Sequence, residues 1–309
     1  MRGLVGVPSG LTAMGLIVSL LCFDAQGANA PPARDFQTYQ PSVRPVRIQA
    51  SDAPSIDGDI SDAVWAKAPS IDEFYQLTPK EGAPGSERTV VRVLYDENNI
   101  YFAVHAYDRE PDKITATVMS RDGNLSKDDF IRIYLDPHMS RRDGYTFEVN
   151  PLGARLDALI QNNTQYLAEW DTTWSAKARI VDDGWMAEVA IPFRSISYDI
   201  ARENWGFDLF RLIRRKGERI RWSQIKRQLP VIDISRSGSM LGIKDTTQGL
   251  GLDVQLYGSL RFKHEWADPR ENDLTFQPAG NAYYKITPSL TGTLTFNTCL
   301  LYTSDAADE

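Results

Sequence analysis

The chain has 309 residues, of which 24% are charged and 42% hydrophobic, and 41 acidic against 34 basic residues give a net charge of −7. These values are typical of a globular protein with enough chain to bury its own core, in one large or two smaller domains. The acidic excess argues against a nucleic-acid partner, which requires a basic surface. Only three histidines occur, which argues against a multi-histidine metal site.

The two ends of the chain read as segments outside the folded body. Residues 1–27 combine Arg2, a mostly apolar stretch at 11–23 and a small-residue cleavage site, which is the pattern of a secretory signal peptide. That stretch is shorter than the roughly 20 residues that a membrane-spanning helix needs. Residues 28–46 are predicted to be a leader or linker, and residues 299–309, which break the preceding pattern, a non-native tail.

Both cysteines fall within these end segments, at Cys22 and Cys299. A folded body without cysteine contains no disulfide and no CxxC metal site. Two alternatives stay open for the N-terminal segment, a buried helix and a lipoprotein signal at Cys22. Leu21 is bulkier than the small residue that a lipoprotein signal places before its cysteine.

Residues 47–245 are predicted to form an antiparallel β-sandwich of the jelly-roll or immunoglobulin type. Short apolar or β-branched runs alternate there with clusters of Gly, Asp, Asn and Pro, as expected for strands joined by turns. The predicted strands are residues 89–96, 100–108, 130–136, 145–150, 175–181, 185–193, 207–215 and 219–224. The one helix candidate spans residues 59–68, where Ile60, Val64 and Ala68 share a face.

The hydrophobic pattern changes after residue 249. Residues 251–263 alternate strictly, with one apolar face made of Leu252, Val254, Leu256, Leu260 and Phe262, and residues 281–298 contain one or two similar segments. Repeats of about ten residues with one apolar and one polar face are typical of outer-membrane strands, although a soluble sheet gives the same alternation. We predict that residues 249–298 are the first strands of a transmembrane β-barrel, truncated in this chain.

Six sequence blocks follow one another in an order that resembles a known family. They are IDGDISDAVWAKA (56–68), VRVLYDENNIYFAVHAYD (91–108), DDFIRIYLDP (128–137), GYTFEVNPLGARLD (144–157), DDGWMAEVAIPF (182–193) and WGFDLFRLIRRKGE (205–218). The order resembles a family 9 carbohydrate-binding module, of the kind fused to a Gram-negative outer-membrane β-barrel of unassigned function. The resemblance implies an exported protein of the periplasm or outer membrane that binds a glycan or polysaccharide without catalysis.

The loop at residues 161–174 is the strongest candidate for sugar binding. An exposed Trp or Tyr covers the flat C–H face of a pyranose ring, while polar neighbours bind its hydroxyls. The predicted contacts are Asn162, Tyr166, Trp170, Asp171 and Trp174, with Arg142 added from the turn at 138–145. A competing interpretation has Trp174 begin the next strand and pack inward, and the 138–145 turn exposed only to solvent.

The sequence departs from the family pattern at two places. Family members that bind sugar clamp it between two tryptophans, one of which precedes the DDFIRIYLDP block, yet residues 117–127 contain no aromatic residue. Arg132 occupies a strand position where the family often has an acid. The first alternative is therefore a structural or protein-interaction domain that has lost sugar binding.

Further alternatives concern catalysis and haem. The notable acids are Glu148, Glu169 and Glu188, and a surface ion pair is the simpler role for Glu148 and Glu188, which lie on predicted strands. No GxSxG, HExxH or phosphate-binding glycine loop occurs. We predict no enzymatic activity, and a glycoside-hydrolase-associated role in carbohydrate catabolism remains an alternative. Haem needs axial ligands on both sides of the iron, which the adjacent His138 and Met139 supply poorly.

No cofactor is expected, and a structural Ca²⁺ ion is the alternative. Acidic residues cluster in turns at Asp57 and Asp59, Asp128 and Asp129, and Asp182 and Asp183. Oxygen ligands from such loops suit Ca²⁺, although no EF-hand spacing occurs. Carboxylates that only face solvent are the simpler explanation.

Overall fold

The computed structural model describes residues 34–247, 252–263, 273–287 and 290–296. The predicted signal peptide and the predicted tail at 299–309 lie outside the described residues, as does the first part of the predicted leader. The chain divides into a unit of residues 1–34 and a unit of residues 35–309, and the fold below is that of the second unit.

The described residues contain strands and short 3₁₀ helices and no α-helix. In chain order the strands are β1 (Ser42–Val43), β2 (Val46–Arg47), β3 (Tyr75–Thr78), β4 (Thr89–Tyr95), β5 (Asn99–Tyr107), β6 (Phe130–Asp136), β7 (Gly144–Val149), β8 (Arg155–Gln161), β9 (Gln165–Leu167), β10 (Ser175–Val181), β11 (Gly184–Pro192), β12 (Trp205–Ile213), β13 (Glu218–Arg221), β14 (Gly238–Met240), β15 (Leu252–Lys263), β16 (Asp273–Thr287) and β17 (Leu290–Phe296). The 3₁₀ helices are Ala50–Asp52, Ala63–Lys67, Pro111–Lys113, Leu125–Lys127, Phe193–Ser195 and Arg214–Lys216.

Two sheets face each other around the main core. The nine-stranded sheet has the order β1-β14-β12-β6-β7-β8-β9, with β13 pairing with both β12 and β3, and the five-stranded sheet has the order β10-β11-β5-β4-β2. All pairs in these sheets are antiparallel except β1–β14 and β2–β4, which are parallel. The predicted all-β, antiparallel sandwich is therefore confirmed.

The core between the sheets is built by strict side-chain alternation. Ile131, Ile133 and Leu135 of β6 point inward and pack in one cluster with Phe102 and Val104 of β5. The intervening residues of β6 face away from the core, because successive side chains of a strand point to opposite faces. Each sheet consequently has an outer face, and both outer faces carry polar as well as apolar side chains.

Sequence patterns located most of the long strands. Two of them, 130–136 and 175–181, have the predicted bounds, while β1, β2, β3, β8, β9 and β14 were missed. The sandwich also begins before residue 47, since β1 pairs with β14 at Ser42–Ser239 and Val43–Met240. Part of the predicted leader thus belongs to the folded body.

The predicted helix at 59–68 is wrong in extent and type, because only Ala63–Lys67 is helical and it is a 3₁₀ helix. Side-chain acceptors compete with a helix start here: Asp57 Oδ1 accepts from Asp59 N at 2.8 Å, and Asp59 Oδ1 accepts from Ser61 N at 3.0 Å. Apolar residues of the segment still pack together against the outer face of the five-stranded sheet, with Trp65 buried.

Strands β15, β16 and β17 form a separate three-stranded antiparallel sheet. The apolar side chains predicted to share a face of β15 are all exposed, as are several on the neighbouring strands, namely Leu274, Phe276, Leu294 and Phe296. Within the described part of the chain no helix has the length and apolar character needed to cross a membrane.

Candidate functional site

A buried ion pair lies on the outer face of the nine-stranded sheet. Arg132 of β6 and Glu148 of β7 are direct cross-strand partners. Arg132 Nε donates to Glu148 Oε1 at 2.7 Å, and the two side chains are 12% and 4% exposed. Burying one such charge alone costs several kcal/mol. For Arg132 and Glu148, the partner charge and further hydrogen bonds offset this cost.

Aromatic rings surround this ion pair. The rings of Phe130, Tyr134, Tyr166 and Phe210 have their centroids 5.3 to 5.8 Å from the guanidinium carbon of Arg132. Such distances allow cation–π attraction, which is strongest where water is excluded. We refer to Arg132, Glu148 and these four aromatic residues as the polar platform.

Hydroxyl groups complete the hydrogen bonding of the platform. The Tyr134 hydroxyl accepts from Arg132 Nη1 at 3.2 Å and donates to the Val231 carbonyl at 2.7 Å. The Tyr166 hydroxyl donates to Glu148 Oε1. Burial and the Glu148 charge raise the pKa of Tyr166. For Arg132, burial is outweighed by Glu148, Tyr134 and Tyr166 together, which raise the pKa of the guanidinium. The phenol therefore stays protonated and the guanidinium stays charged at any physiological pH.

Two loops border the platform with aliphatic side chains. Val118 and Leu125 belong to the loop before β6, and Val231 and Ile232 to the loop between β13 and β14; all four pack in the cluster that contains Phe130 and Phe210. No aromatic residue from 117–127 is there to cover a ligand. The platform thus has aliphatic borders where the family pattern places a tryptophan.

A second buried ion pair holds the 231–234 segment in place. Arg221 Nε lies 2.7 Å from Asp208 Oδ2, and both side chains are fully buried. The Arg221 guanidinium also donates to the carbonyls of Val231 at 2.8 Å and Asp233 at 2.9 Å, and its carbon lies 4.3 Å from the Tyr134 ring centroid. Arg221 therefore positions both the loop and one ring of the platform.

Tyr166 is the residue of the predicted loop that lies on the platform. Asn162 and Arg142 instead join two turns, since Arg142 Nη2 donates to Asn162 Oδ1 and Asn162 N donates to Asp143 Oδ1 at 2.8 Å. Both side chains are exposed. The next residue, Asn163, accepts from Ile234 N at 3.0 Å, which connects these turns to the loop that borders the platform.

The placement of Trp174 corrects the prediction of an exposed sugar-stacking residue. Its side chain is 2% exposed within the core, and its Nε1 donates to Asp157 Oδ1 at 2.8 Å. Trp170 packs partly buried against Tyr145, with ring centroids 5.1 Å apart. The inward-packing alternative therefore describes Trp174, because a buried carboxylate on β8 accepts its N–H.

Asp171 also lies away from the platform. Its carboxylate binds Arg121, whose Nη2 also lies 3.2 Å from Asp157 Oδ1. Burial raises the pKa of Asp157, against hydrogen bonds from Trp174 and Thr172 that lower it. The 171–174 segment is thus fixed to the inner side of β8 by one buried carboxylate.

The second strand acid, Glu188, has a different role from the predicted surface ion pair. It is fully buried on the outer face of the five-stranded sheet, where Oε1 accepts from Trp65 Nε1 at 2.8 Å. Oε2 accepts from Gly58 N at 3.0 Å and Asp57 N at 3.1 Å. Glu148 and Glu188 lie on opposite outer faces, so they cannot flank one glycosidic bond, which requires carboxylates roughly 5–10 Å apart.

The acidic turns offer no ready calcium site among the described residues, where no group of three or more His, Cys, Asp or Glu could hold a metal ion. Asp128 instead accepts from Thr117 Oγ1 at 2.7 Å, Val118 N at 2.9 Å and Asn150 Nδ2 at 2.9 Å. These hydrogen bonds lower its pKa against burial. Asp128 thereby anchors the loop that carries Val118.

Sequence reasoning missed most of the platform. Arg132 was noted only as a departure and Glu148 only as a strand acid, while Phe130, Tyr134 and Phe210 were not considered. The sequence signal for these residues was the alternation in β6, which places Phe130, Arg132 and Tyr134 on the face opposite the isoleucines of the core.

Three solved structures are similar to this chain. A protein from Bacteroides uniformis, described as a candidate carbohydrate-binding protein, matches with a TM-score of 0.53 and 11% identity over 65% of this chain and 99% of its own. A family 9 carbohydrate-binding module from Caldicellulosiruptor kristjanssonii in complex with cellotriose matches with a TM-score of 0.47 and 15% identity, covering 66% of this chain and 95% of that one. Its complex with glucose gives 0.46 and 15%, covering 67% and 99%.

Sequence comparison identifies the family directly. No curated protein is significantly similar to the chain. The profile of the family described as "Carbohydrate family 9 binding domain-like" matches residues 56–228, more than half of the chain and most of the sandwich. The chain therefore belongs to the carbohydrate family 9 binding domain-like family.

Proposed function

We propose that the sandwich is a non-catalytic carbohydrate-binding module whose ligand lies on the polar platform. The observation that carries the proposal is the buried Arg132–Glu148 pair framed by four aromatic rings within a chain of this family. A guanidinium donates and a carboxylate accepts, so together they match the hydroxyl groups of a sugar, each of which does both.

The platform retains hydrogen-bonding capacity for a ligand. Among the described contacts, Arg132 Nη2 donates to no group, and Glu148 accepts through Oε1 and not through Oε2. Tyr166 is partly exposed beside them and presents an aromatic edge or face to an incoming ring. A neutral glycan satisfies these atoms without adding a charge to a pair that is already balanced.

A glycan array of the full chain tests this function, followed by titration of the hits with three variants. Tyr166→Phe removes one hydroxyl, and Arg132→Gln with Glu148→Gln neutralises both members of the pair together. Asp59→Asn is the matched control, because its carboxylate pairs with Arg179 at 2.7 Å in an exposed position. Circular dichroism verifies that each variant is folded.

We expect the double variant to bind at least about tenfold more weakly, which corresponds to about 1.4 kcal/mol, and the control to bind normally. Unchanged affinity in a folded double variant would move the site away from the platform. The absence of any hit with well-folded protein would reject carbohydrate binding itself.

The main alternative is a structural or protein-interaction domain. It is favoured by the aliphatic residues Val118, Leu125, Val231 and Ile232, which border the platform where a sugar-clamping aromatic residue is expected. In this alternative the Arg132–Glu148 pair only stabilises the sheet. The double variant then alters the urea midpoint and no ligand affinity.

We also propose that the chain is exported and that β15–β17 begin an outer-membrane barrel. The strands run antiparallel, and β15 and β16 have 12 and 15 residues, which exceeds the 9–11 residues that a tilted strand needs to cross a bilayer. Their apolar side chains, such as Leu256 at 82% exposed, match a lipid-facing surface.

Site-specific labelling tests the membrane proposal. With Cys22 and Cys299 replaced by serine, a polarity-sensitive dye is attached at Leu256→Cys or at the neighbouring Tyr257→Cys, and phosphatidylcholine vesicles are added. We expect a blue shift of the dye at position 256 and a much smaller one at 257. Equal responses at both positions would contradict a lipid-facing side.

Fractionation of cells expressing the intact chain tests export.

A further inference from the structure

A cleft of about 540 Å³ lies where the outer face of the five-stranded sheet meets Gly153 and Arg155 at the start of β8. Ser175, Ala190 and Tyr101 are neighbours across β10, β11 and β5 and form its floor. The remaining residues that line it are Pro54, Ile56, Asn99, Gly153, Arg155, Ala176 and Lys177. A volume of this size is typical of pockets that bind small molecules.

A second hollow of about 260 Å³ adjoins the first, because Asn99 lines both. It is lined by Asn98, Pro192, Arg194 and Thr247 as well. We call the two hollows together the cationic cleft. A ligand of more than one sugar unit can therefore reach from the larger hollow into the smaller one.

The charge of the cleft is unusual for an acidic protein. Three cationic side chains line it, Arg155, Lys177 and Arg194, and no Asp or Glu lines either hollow. None of the ion pairs among the described residues includes any of the three. Within the part of the chain that the structure describes, these cations thus form no ion pair, although the net charge of the chain is −7.

Three carboxylates that are close to the cleft in sequence or strand register accept hydrogen bonds from other groups. Asp96 accepts from the Tyr101 hydroxyl at 2.8 Å. Glu188, opposite Lys177 in the β10–β11 register, is buried beneath the 57–65 segment and accepts three hydrogen bonds there. Glu97 accepts from Asn98 Nδ2 at 3.4 Å. An incoming anion therefore meets little competition from these groups.

Arg155 lies on the β8 side of the cleft, where nearby carboxylates only partly offset the burial of its charge. Burial and the neighbouring Arg121 lower the pKa of Arg155, and the attraction of Asp157, Asp122 and Asp171 does not offset them. One of its N–H groups donates to the Trp174 carbonyl, which fixes the guanidinium beside the cleft. The side chain is partly exposed, so a ligand can contact it.

Uncharged groups of the cleft favour a sugar over a simple anion. Asn98, Asn99 and Ser175 supply amide and hydroxyl groups, and the Asn99 amide is held by its donation to the Tyr101 hydroxyl at 3.1 Å. Pro54 and Ile56 provide apolar surface of the kind that covers the C–H face of a ring. Cations, amides and apolar surface therefore occur side by side.

We propose that the cationic cleft binds an acidic saccharide, one whose sugar units carry carboxylates. Its carboxylates pair with Lys177, Arg155 and Arg194, and its hydroxyls bond to the asparagine amides. The cleft is a second site, lined mostly by the five-stranded sheet, whereas the platform lies on the outer face of the nine-stranded sheet. The ligand proposed for the cleft is negatively charged, whereas the glycan proposed for the platform is neutral.

Isothermal titration of the full chain tests the proposal with two probes, the galacturonic acid trimer and the neutral cellotriose. The informative variant is Lys177→Gln with Arg194→Gln, because both residues are exposed and their replacement leaves the core intact. The matched control is Lys80→Gln with Arg219→Gln, which removes two exposed charges from the β3–β13 end of the other sheet.

We expect the acidic trimer to bind the chain and to lose about tenfold or more in affinity in the cleft variant and at high ionic strength, because screening weakens exposed charge pairs. The control variant binds as the parent does. The proposal is overturned if the acidic trimer does not bind, or if both variants weaken it equally. Because the cleft variant leaves Arg132 and Glu148 intact, any cellotriose binding at the platform is unaffected, which separates this test from that of the proposed function.

Discussion

Replacing Trp174 by Phe distinguishes a core residue from a sugar-binding one. The indole is buried in the main core and its Nε1 donates to the equally buried Asp157 Oδ1 at 2.8 Å. Phenylalanine keeps an aromatic ring at this position but has no N–H. The variant therefore removes one hydrogen bond to a buried carboxylate and a small part of the packing.

The magnitude follows from these two losses. Removing one of the hydrogen bonds that a buried carboxylate accepts costs about 1–3 kcal/mol, and Arg121 Nη2 still contacts Asp157 Oδ1 at 3.2 Å. The smaller ring leaves a partial void next to Phe147, whose ring centroid lies 5.1 Å from that of Trp174, and this adds about 1 kcal/mol. We expect a total loss of roughly 2–4 kcal/mol, or roughly 5–15 °C in Tm for a domain of this size.

Urea unfolding followed by tryptophan fluorescence or circular dichroism measures the loss. The matched control is Trp170→Phe, because Trp170 is only partly buried against the same core and none of the described hydrogen bonds includes its indole. We expect the control to lose less than about 1.5 kcal/mol. A glycan that binds the parent should bind both variants equally well.

Two results would refute this reasoning. If Trp174→Phe and Trp170→Phe destabilise the protein equally, the hydrogen bond to Asp157 contributes nothing. If Trp174→Phe leaves stability unchanged and abolishes glycan binding, the side chain faces a ligand, and the originally predicted loop is the site after all.

Two further predictions concern backbone space and buried charge. Gly184→Ala should prevent folding or cost at least about 3 kcal/mol, because the φ of Gly184 is +147° and a Cβ would lie 2.3 Å from the Ala106 carbonyl oxygen. Gly217→Ala, with open space around the added Cβ at φ +59°, should cost about 1 kcal/mol in urea unfolding. Equal costs for the two variants would contradict the steric argument. Burial raises the pKa of Glu188 above its ordinary value of 4.5, so the folded chain holds the Glu188 proton more tightly than the unfolded chain does. The protonation of Glu188 therefore contributes to stability below pH 4.5, and this contribution is lost as pH rises through the folded pKa. The urea midpoint of the parent should therefore fall relative to that of Glu188→Gln as pH rises from about 4, and parallel pH profiles would show that the two states hold the proton equally.

Most long strands of the sandwich, β8 excepted, were predictable from sequence because alternation and turn residues both mark them. In β6 and β10 the two signals coincide at both ends, and the predicted bounds are those of the structure. Strands of two or three residues, such as β1, β2, β9 and β14, carry no measurable alternation. These short strands form because the edges of the folded sheets offer unpaired N–H and C=O groups to bind. A local sequence pattern contains no information about such edges.

The candidate site was less predictable because it depends on strand register. Arg132 and Glu148 are 16 positions apart, and only the β6–β7 pairing makes them neighbours. The same limit explains Trp174, whose hydrogen-bond partner Asp157 lies on β8, a strand that the pattern did not reveal. Tyr166 was identified because an aromatic residue in a polar loop is unusual in the sequence itself.

The parallel pairing of β1 with β14 has a mechanical consequence. The two strands lie at the two ends of the sandwich sequence and are joined at Pro41–Ser239 and Val43–Leu241 by backbone bonds of 2.9 Å each. Because parallel strands point the same way, tension applied before residue 42 and after residue 240 slides the strands past each other. Such shear loads both bonds at once instead of opening them one after the other, so a sandwich pulled between its two flanking segments resists force along its strongest direction.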